Sequence, residues 1–267
     1  MRPLDIIVCM KPVPDPKQWN KLTLDPETML LHRAGIPAVI NPLDRNAIEQ
    51  AIAFEAAGGG TRSVVTMAPP DAQNQLLEAL AMGCDRAFLL TDRAFAGADS
   101  LATARCLAAA IRKIGRYDLI FCGGYSLDGS TSQVGPQIAE LLGIPELTHV
   151  TRLELTASAM RASCKTEQGA VTCEADLPAL VTFAAEANRP RLAGMTGIRK
   201  AREAPMVTWA AGDLGLETHE VGLAGSPTRM LNTFTAPAGR RGEILHGTPD
   251  ELAAELLRRL ELKQEAQ

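Results

Sequence analysis

The sequence predicts an α/β protein: a doubly wound, mostly parallel sheet with added antiparallel strands and a long C-terminal arm. Three observations predict it. The first 145 residues alternate strand and helix signals across short connections, the pattern of a parallel sheet wrapped by helices. After about residue 146 the chain shifts to alternation with turn signals, the mark of antiparallel strands laid against that sheet. From Pro205 to Gly247 proline, glycine and threonine recur, which reads as an extended excursion over another surface.

The elements follow in order. DIIVCM at residues 5 to 10 reads as a buried first strand, and SVVTMA, RAFLLT and DLIFCG repeat the type. A helix is predicted near residues 42 to 57, with Asn41 as N-cap, Pro42 at its first position, Asp44 in its first turn and a stop at Gly58-Gly59-Gly60. DAQNQLLEALAMG and SLATARCLAAAIRKIG read as two more helices, ending at Gly83 and Gly115. Turns are predicted at Ala157-Ser158 and Gln168-Gly169 within the antiparallel part. Residues 187 to 202, ANRPRLAGMTGIRKAR, carry five basic side chains and no acid. Thr248, Pro249 and Glu251 form a capping-box-like start to a last helix, ELAAELLRRLELK.

Composition bounds the function. At 267 residues, 46% of them hydrophobic and 22% charged, the chain is long enough for one large domain or one and a half ordinary ones. Its net charge of −4 points away from nucleic acid. The apolar start is interrupted by Lys11 and no run reaches the ~18 residues of a membrane span, so the N-terminus reads as the first strand of a cytoplasmic protein without membrane insertion. The six cysteines include no CxxC pair, and the four histidines lack ligand spacing, which favours buried thiols over disulfides, zinc or iron–sulfur ligands.

GGYSLDGSTSQVGPQ, residues 123 to 137, follows an apolar strand and precedes a helix. Parallel sheets bind ligands beyond the carboxyl ends of their strands, and this stretch lies at such an edge. N–H groups at the helix start, with Ser130, Thr131, Ser132 and Gln133 around them, suit a phosphate, and Gly129 and Gly135 permit close approach. The plainer alternative is that these residues only cap a helix whose first turn holds Pro136. KPVPDPKQW (11 to 19), stiffened by Pro12, Pro14 and Pro16, INPLD (40 to 44) and TMAPP (66 to 70) are expected on the same edge. Lys11 is a candidate phosphate partner, and Asp128 a turn former or positioning group. Walker and GxGxxG signatures, a nucleophile elbow and a placeable Ser-His-Asp set are all missing, so binding or carriage outranks self-contained catalysis.

KPVPD, INPLD, ALAMGCDRAFLL, DGSTSQVGPQIAELLGIP and LPALVTFAAEANRPRLAGMTGIRKA together resemble the beta subunit of electron transfer flavoproteins over nearly residues 4 to 203. The resemblance implies an adenine-nucleotide-binding, Rossmann-like domain over residues 1 to 203, and an arm over 204 to 267 packed on an alpha subunit. It implies a heterodimer with FAD shared between the subunits, carrying electrons from flavin dehydrogenases such as acyl-CoA dehydrogenases to a quinone reductase or other acceptor. The beta subunit itself would hold AMP, or a second FAD that oxidises NADH in electron-bifurcating members, and both stay open. The adenine would lie by the backbone at Cys9 and near Asn41 and Met67. The phosphate would meet Ser132, Gln133 and Val134, with Asp128 and Thr131 close by. Residues 187 to 202 match the family's recognition loop, with Met195 as its apolar anchor and Arg189, Arg191, Arg199, Lys200 and Arg202 flanking it. An adenine-nucleotide sensor of universal-stress type is the remaining alternative; it needs no such loop.

Overall fold

The computed structural model describes residues 3–24, 31–32, 35–156, 159–229 and 242–264. Its strands are β1 (Ile6–Cys9), β2 (Pro12–Pro14), β3 (Thr23–Leu24), β4 (Leu31–His32), β5 (Ala38–Ile40), β6 (Arg62–Met67), β7 (Arg86–Leu90), β8 (Leu119–Gly123), β9 (Glu146–Leu155), β10 (Ala159–Thr166), β11 (Gly169–Asp176), β12 (Ala179–Phe183) and β13 (Met206–Trp209). Its α-helices are α1 (Pro42–Gly58), α2 (Gln73–Met82), α3 (Ser100–Ile114), α4 (Val134–Leu142), α5 (Met195–Ala201) and α6 (Pro249–Gln264).

Nine strands form one sheet in the order β11-β10-β9-β12-β8-β1-β6-β7-β13. From β9 to β13 every neighbouring pair runs parallel, while β10 and β11 are antiparallel additions. The antiparallel strands thus extend the sheet in its own plane instead of lying against it. The predicted turn at Ala157-Ser158 falls outside the described residues; that at Gln168-Gly169 joins β10 to β11.

Side-chain alternation divides the core between the two faces. Ile6 and Val8 of β1 with Leu119 and Phe121 of β8 pack against Ala47, Ile48 and Ala51 of α1 and Leu76 and Leu80 of α2. Ile7 and Cys9 with Ile120 and Cys122 face Cys106, Leu107 and Ile111 of α3 and Ile138 of α4. Phe121 and Phe183, both fully buried, meet edge to face at 4.9 Å; such a pair adds about 0.5 to 1.5 kcal/mol beyond burial. The helices stop where glycine permits it, α2 at Gly83, α3 at Gly115 and α4 at Gly143, all with positive φ. Asp99 starts α3 by accepting from Ala102 N–H at 2.9 Å.

The chain divides into two units, Met1–Met230 and Leu231–Gln267, and β13 joins the sheet edge beside β7. The stretch that reads as a surface excursion therefore begins with a strand. In the second unit Thr248 N–H donates to Glu251 at 2.8 Å at the start of α6, and Glu255 binds both Arg258 and Arg259. Among the described residues no helix is long and apolar enough to cross a membrane.

Candidate functional site

The connections decide where a ligand can sit. The chain passes from β1 to β6 and β7 on one side, then crosses to β8 on the other side of β1. The segments leaving β1 and β8 therefore diverge to opposite faces and open a crevice at the carboxyl ends of these two strands, the usual ligand position in such sheets. Cys9 and Cys122 close β1 and β8 there; both are buried, their thiols are hydrogen-bonded, and that bond and burial push the Cys122 thiol well up. None of the six cysteines is bridged.

Three of the four predicted edge segments are tied together by hydrogen bonds. Lys11 Nζ reaches Asp128 Oδ1 at 2.7 Å and Ser126 Oγ at 3.4 Å. The Asp128 side chain is only 3% exposed, so this carboxylate is balanced internally by Lys11 and does not face solvent. Asn41 is fully buried, and although the sequence predicts it as the N-cap of α1, its side-chain bonds among the described residues go elsewhere. Its Nδ2 donates to Tyr125 O at 2.9 Å and Asp44 Oδ1 at 3.1 Å, and its Oδ1 accepts from Leu127 N–H at 3.2 Å. Asn41 therefore holds the start of the 124–133 loop. Met67, in the fourth segment, ends β6 next to β1 and packs half-buried against the α3 and α4 side of the core.

Beyond Asp128 the loop bends sharply. Ser130 and Ser132 adopt left-handed φ of 51° and 55°, conformations that cost non-glycine residues about 1 kcal/mol or more each. The N–H groups of Thr131, Ser132, Gln133 and Val134 take no acceptor among the described residues. Gln133 precedes α4 and accepts from Ser100 Oγ at 3.1 Å through Oε1. Thr131 and Gln133 are exposed; Ser132 and Val134 are half-buried. A Cβ on Gly135 would fall 2.6 Å from Thr182 Cγ2, so glycine alone lets the first turn of α4 rest on β12. Buried Oγ1 of Thr66 and Oε1 of Gln137, in β6 and the first turn of α4, have no partner among the described residues. Among the described residues the arrangement offers unpaired donors at a helix N-terminus on the carboxyl edge of the sheet, which suits an anionic group.

The 187–202 segment crosses the helices of the opposite layer. Asn188 and Asn46 of α1 bond reciprocally at 2.9 and 3.0 Å. Arg191 is not a free steering cation: it grips Glu49 with two bonds of 2.8 Å. Burial raises the Glu49 carboxyl, but the Arg191 bonds and charge outweigh it and hold the group below the usual range. Just past these attachments Leu192 and Met195 stand 86% and 83% exposed, with Ile198 beyond them. Arg199 and Lys200 are exposed and form no ion pair among the described residues. Sequence reasoning overlooked Leu192, whose only signal is an apolar residue between two arginines and a Gly-Met turn, and Asp44, read there as an ordinary first-turn acid.

A profile described as the electron transfer flavoprotein domain matches residues 28–214. The electron transfer flavoprotein subunit beta of Thermoanaerobacterium thermosaccharolyticum is 44% identical over 260 residues, covering 96% of this chain and 98% of that one. The caffeyl-CoA reductase-Etf complex subunit CarD of Acetobacterium woodii is 41% identical over 97% of this chain and 98% of its own. Protein FixA of Bradyrhizobium diazoefficiens is 40% identical over 97% and 91%.

Proposed function

This chain belongs to the electron transfer flavoprotein family as a beta subunit, its function is electron transfer, and from that premise we propose that it holds an adenine nucleotide in the crevice between β1 and β8. In this reading an alpha subunit shares a redox FAD with it, and the heterodimer takes electrons from a flavin dehydrogenase, such as an acyl-CoA dehydrogenase, and delivers them to a quinone reductase or other acceptor. FAD supplies the electron-accepting ring when bound. The residues of this chain bind, orient and dock.

One observation carries the nucleotide assignment: at the topological switch point, the 131–134 N–H groups lie unpaired among the described residues at the start of α4, beside a loop fastened by Lys11 and Asn41. In this reading they meet the phosphate, with Ser132, Gln133 and Val134 nearest and Asp128 and Thr131 behind, and the adenine lies along the backbone at Cys9, near Asn41 and Met67. Docking falls to Met195 and Leu192, with Arg199 and Lys200 drawing in an acidic surface. A small anchor with surrounding charge gives fast, weak association.

A second reading draws on relatives named as parts of CoA-reductase complexes, CarD and the acryloyl-CoA reductase electron transfer subunit gamma of Anaerotignum propionicum. There the crevice holds FAD instead of AMP and NADH reduces it. Denaturing the complex co-purified with its alpha subunit and counting released nucleotides separates the two. One FAD and one AMP per heterodimer support the carrier; two FAD support the second; one FAD and nothing else overturns the crevice assignment.

A further inference from the structure

The first turn of α1 sets Asp44 between the two strands that flank the crevice. Its Oδ2 accepts from Lys11 N–H at 2.7 Å, just beyond β1, and its Oδ1 from Gly123 N–H at 3.0 Å, at the end of β8. Asn41 Nδ2 adds a third bond to Oδ1 at 3.1 Å, and the same Asn41 holds Tyr125 O and Leu127 N–H. A single carboxyl group thus joins both strand exits and, through one amide, the base of the phosphate-facing loop. The place is built closely: a Cβ on Gly123 would come within 2.3 Å of Asp44 Oδ1.

All three hydrogen-bond partners of Asp44 among the described residues are donors. A carboxylate accepts them all, whereas a carboxylic acid brings a fourth hydrogen into a ring of groups that already donate. Burial pushes the Asp44 carboxyl up to about 7, against the bonds from Lys11, Asn41 and Gly123 and the charge of Lys11, so its proton exchanges near neutral pH.

We propose that Asp44 is the positioning residue of this crevice: as a carboxylate it holds the exits of β1 and β8 and the 125–127 loop in one arrangement, and on taking up a proton it loosens them and weakens nucleotide retention. The inference rests on the crevice assignment for the identity of the guest. The titratable groups around Asp44 are few. Lys11 spends its ammonium on Asp128, and the Cys122 thiol is hydrogen-bonded to that of Cys9. Further along α1, Arg45 pairs with Glu78 and Glu49 with Arg191. His149 lies beside Gly124, its Cδ2 being 3.7 Å from where a Cβ there would stand, and serves as the control.

The test uses the heterodimer loaded with labelled AMP or FAD and chased with excess unlabelled nucleotide at a series of pH values. Release should quicken by up to about ten-fold from roughly pH 8 to pH 6, the change in protonated fraction of one group titrating near 7. Asp44→Asn should release fast with no pH dependence, and His149→Asn should keep the wild-type profile. A flat wild-type profile, faster release at high pH, or a slope that survives in Asp44→Asn overturns the proposal. Should Asp44→Asn fail to assemble, Asn41→Ala must speed release at every pH while keeping the slope, and unchanged release there is equally fatal. Amide exchange at Lys11 and Gly123 in nucleotide-free heterodimer, corrected for intrinsic rate, separates this inference from the crevice assignment. Protection at pH 8 that disappears at pH 6 supports the role of Asp44 even if no second nucleotide is found, and pH-independent protection refutes it.

Discussion

Gly197→Ala should move α5 without touching its exposed side chains. A Cβ at Gly197 would lie 2.1 Å from Ala81 O and 3.1 Å from Ala81 C. These are backbone atoms near the end of α2, so no side chain can swing aside. Carbon–oxygen contacts settle near 3.3 Å, and α5 must therefore retreat by roughly 1 Å. Overpacking of this kind costs about 1 to 3 kcal/mol. For a chain of this size that is a fall in Tm of about 2 to 5 °C. Gly194, three residues earlier at the start of the same helix, is the internal control: its φ is −82° and an added Cβ meets nothing within 4 Å. Melting curves of the heterodimer, with partner-dehydrogenase turnover at varied dehydrogenase concentration, should show Gly197→Ala less stable and raised in KM. Gly194→Ala, which loses only an N-cap preference, should fall less in Tm than Gly197→Ala, and nucleotide content should be the same in all three. A Gly197→Ala protein with unaltered Tm and KM would refute the claim that α5 is held by direct contact with α2.

Gly135→Ala should lift the start of α4 from Thr182 and lower the nucleotide recovered per purified heterodimer; full recovery would contradict the close packing seen there. Gln133→Glu should weaken nucleotide retention by about 1 to 3 kcal/mol through repulsion and lost donation, read as faster release in the chase assay, and an unchanged rate would remove Gln133 from the phosphate contacts. Met195→Ala and Leu192→Ala should each raise KM for the partner dehydrogenase while flavin content stays intact. Equal turnover across dehydrogenase concentrations would show that neither side chain is buried on docking.

Much of this architecture is written locally. β1, β6, β7 and β8 are apolar runs whose residues need only be buried on both sides, and α2 and α3 announce their ends with Gly83 and Gly115. The 123–137 stretch was legible because its small and polar residues have no use in a core. What the sequence conceals is set by partners distant in the chain. Asn41 looks like an N-cap until the loop 84 residues later claims its side chain. Arg191 looks like a docking cation until Glu49, 142 residues away, occupies it. MVTW is too short to declare itself a strand; β7 supplies the ladder that makes it one. The in-plane position of the antiparallel strands likewise depends on β9 pairing with β12, which no local pattern encodes.

The segment between β12 and β13 is fixed at intervals, by Asn188 on Asn46, Arg191 on Glu49 and Gly197 against Ala81, while Leu192 and Met195 between those fixings touch little of their own chain. This divides the segment into residues answerable to the fold and residues that the fold leaves free. In the docking role proposed above, exchanging the second kind would change a partner's fit and leave the fold's own contacts in place. The same division makes residues 192 to 195 a natural place to graft another protein's anchor and ask whether its dehydrogenase follows.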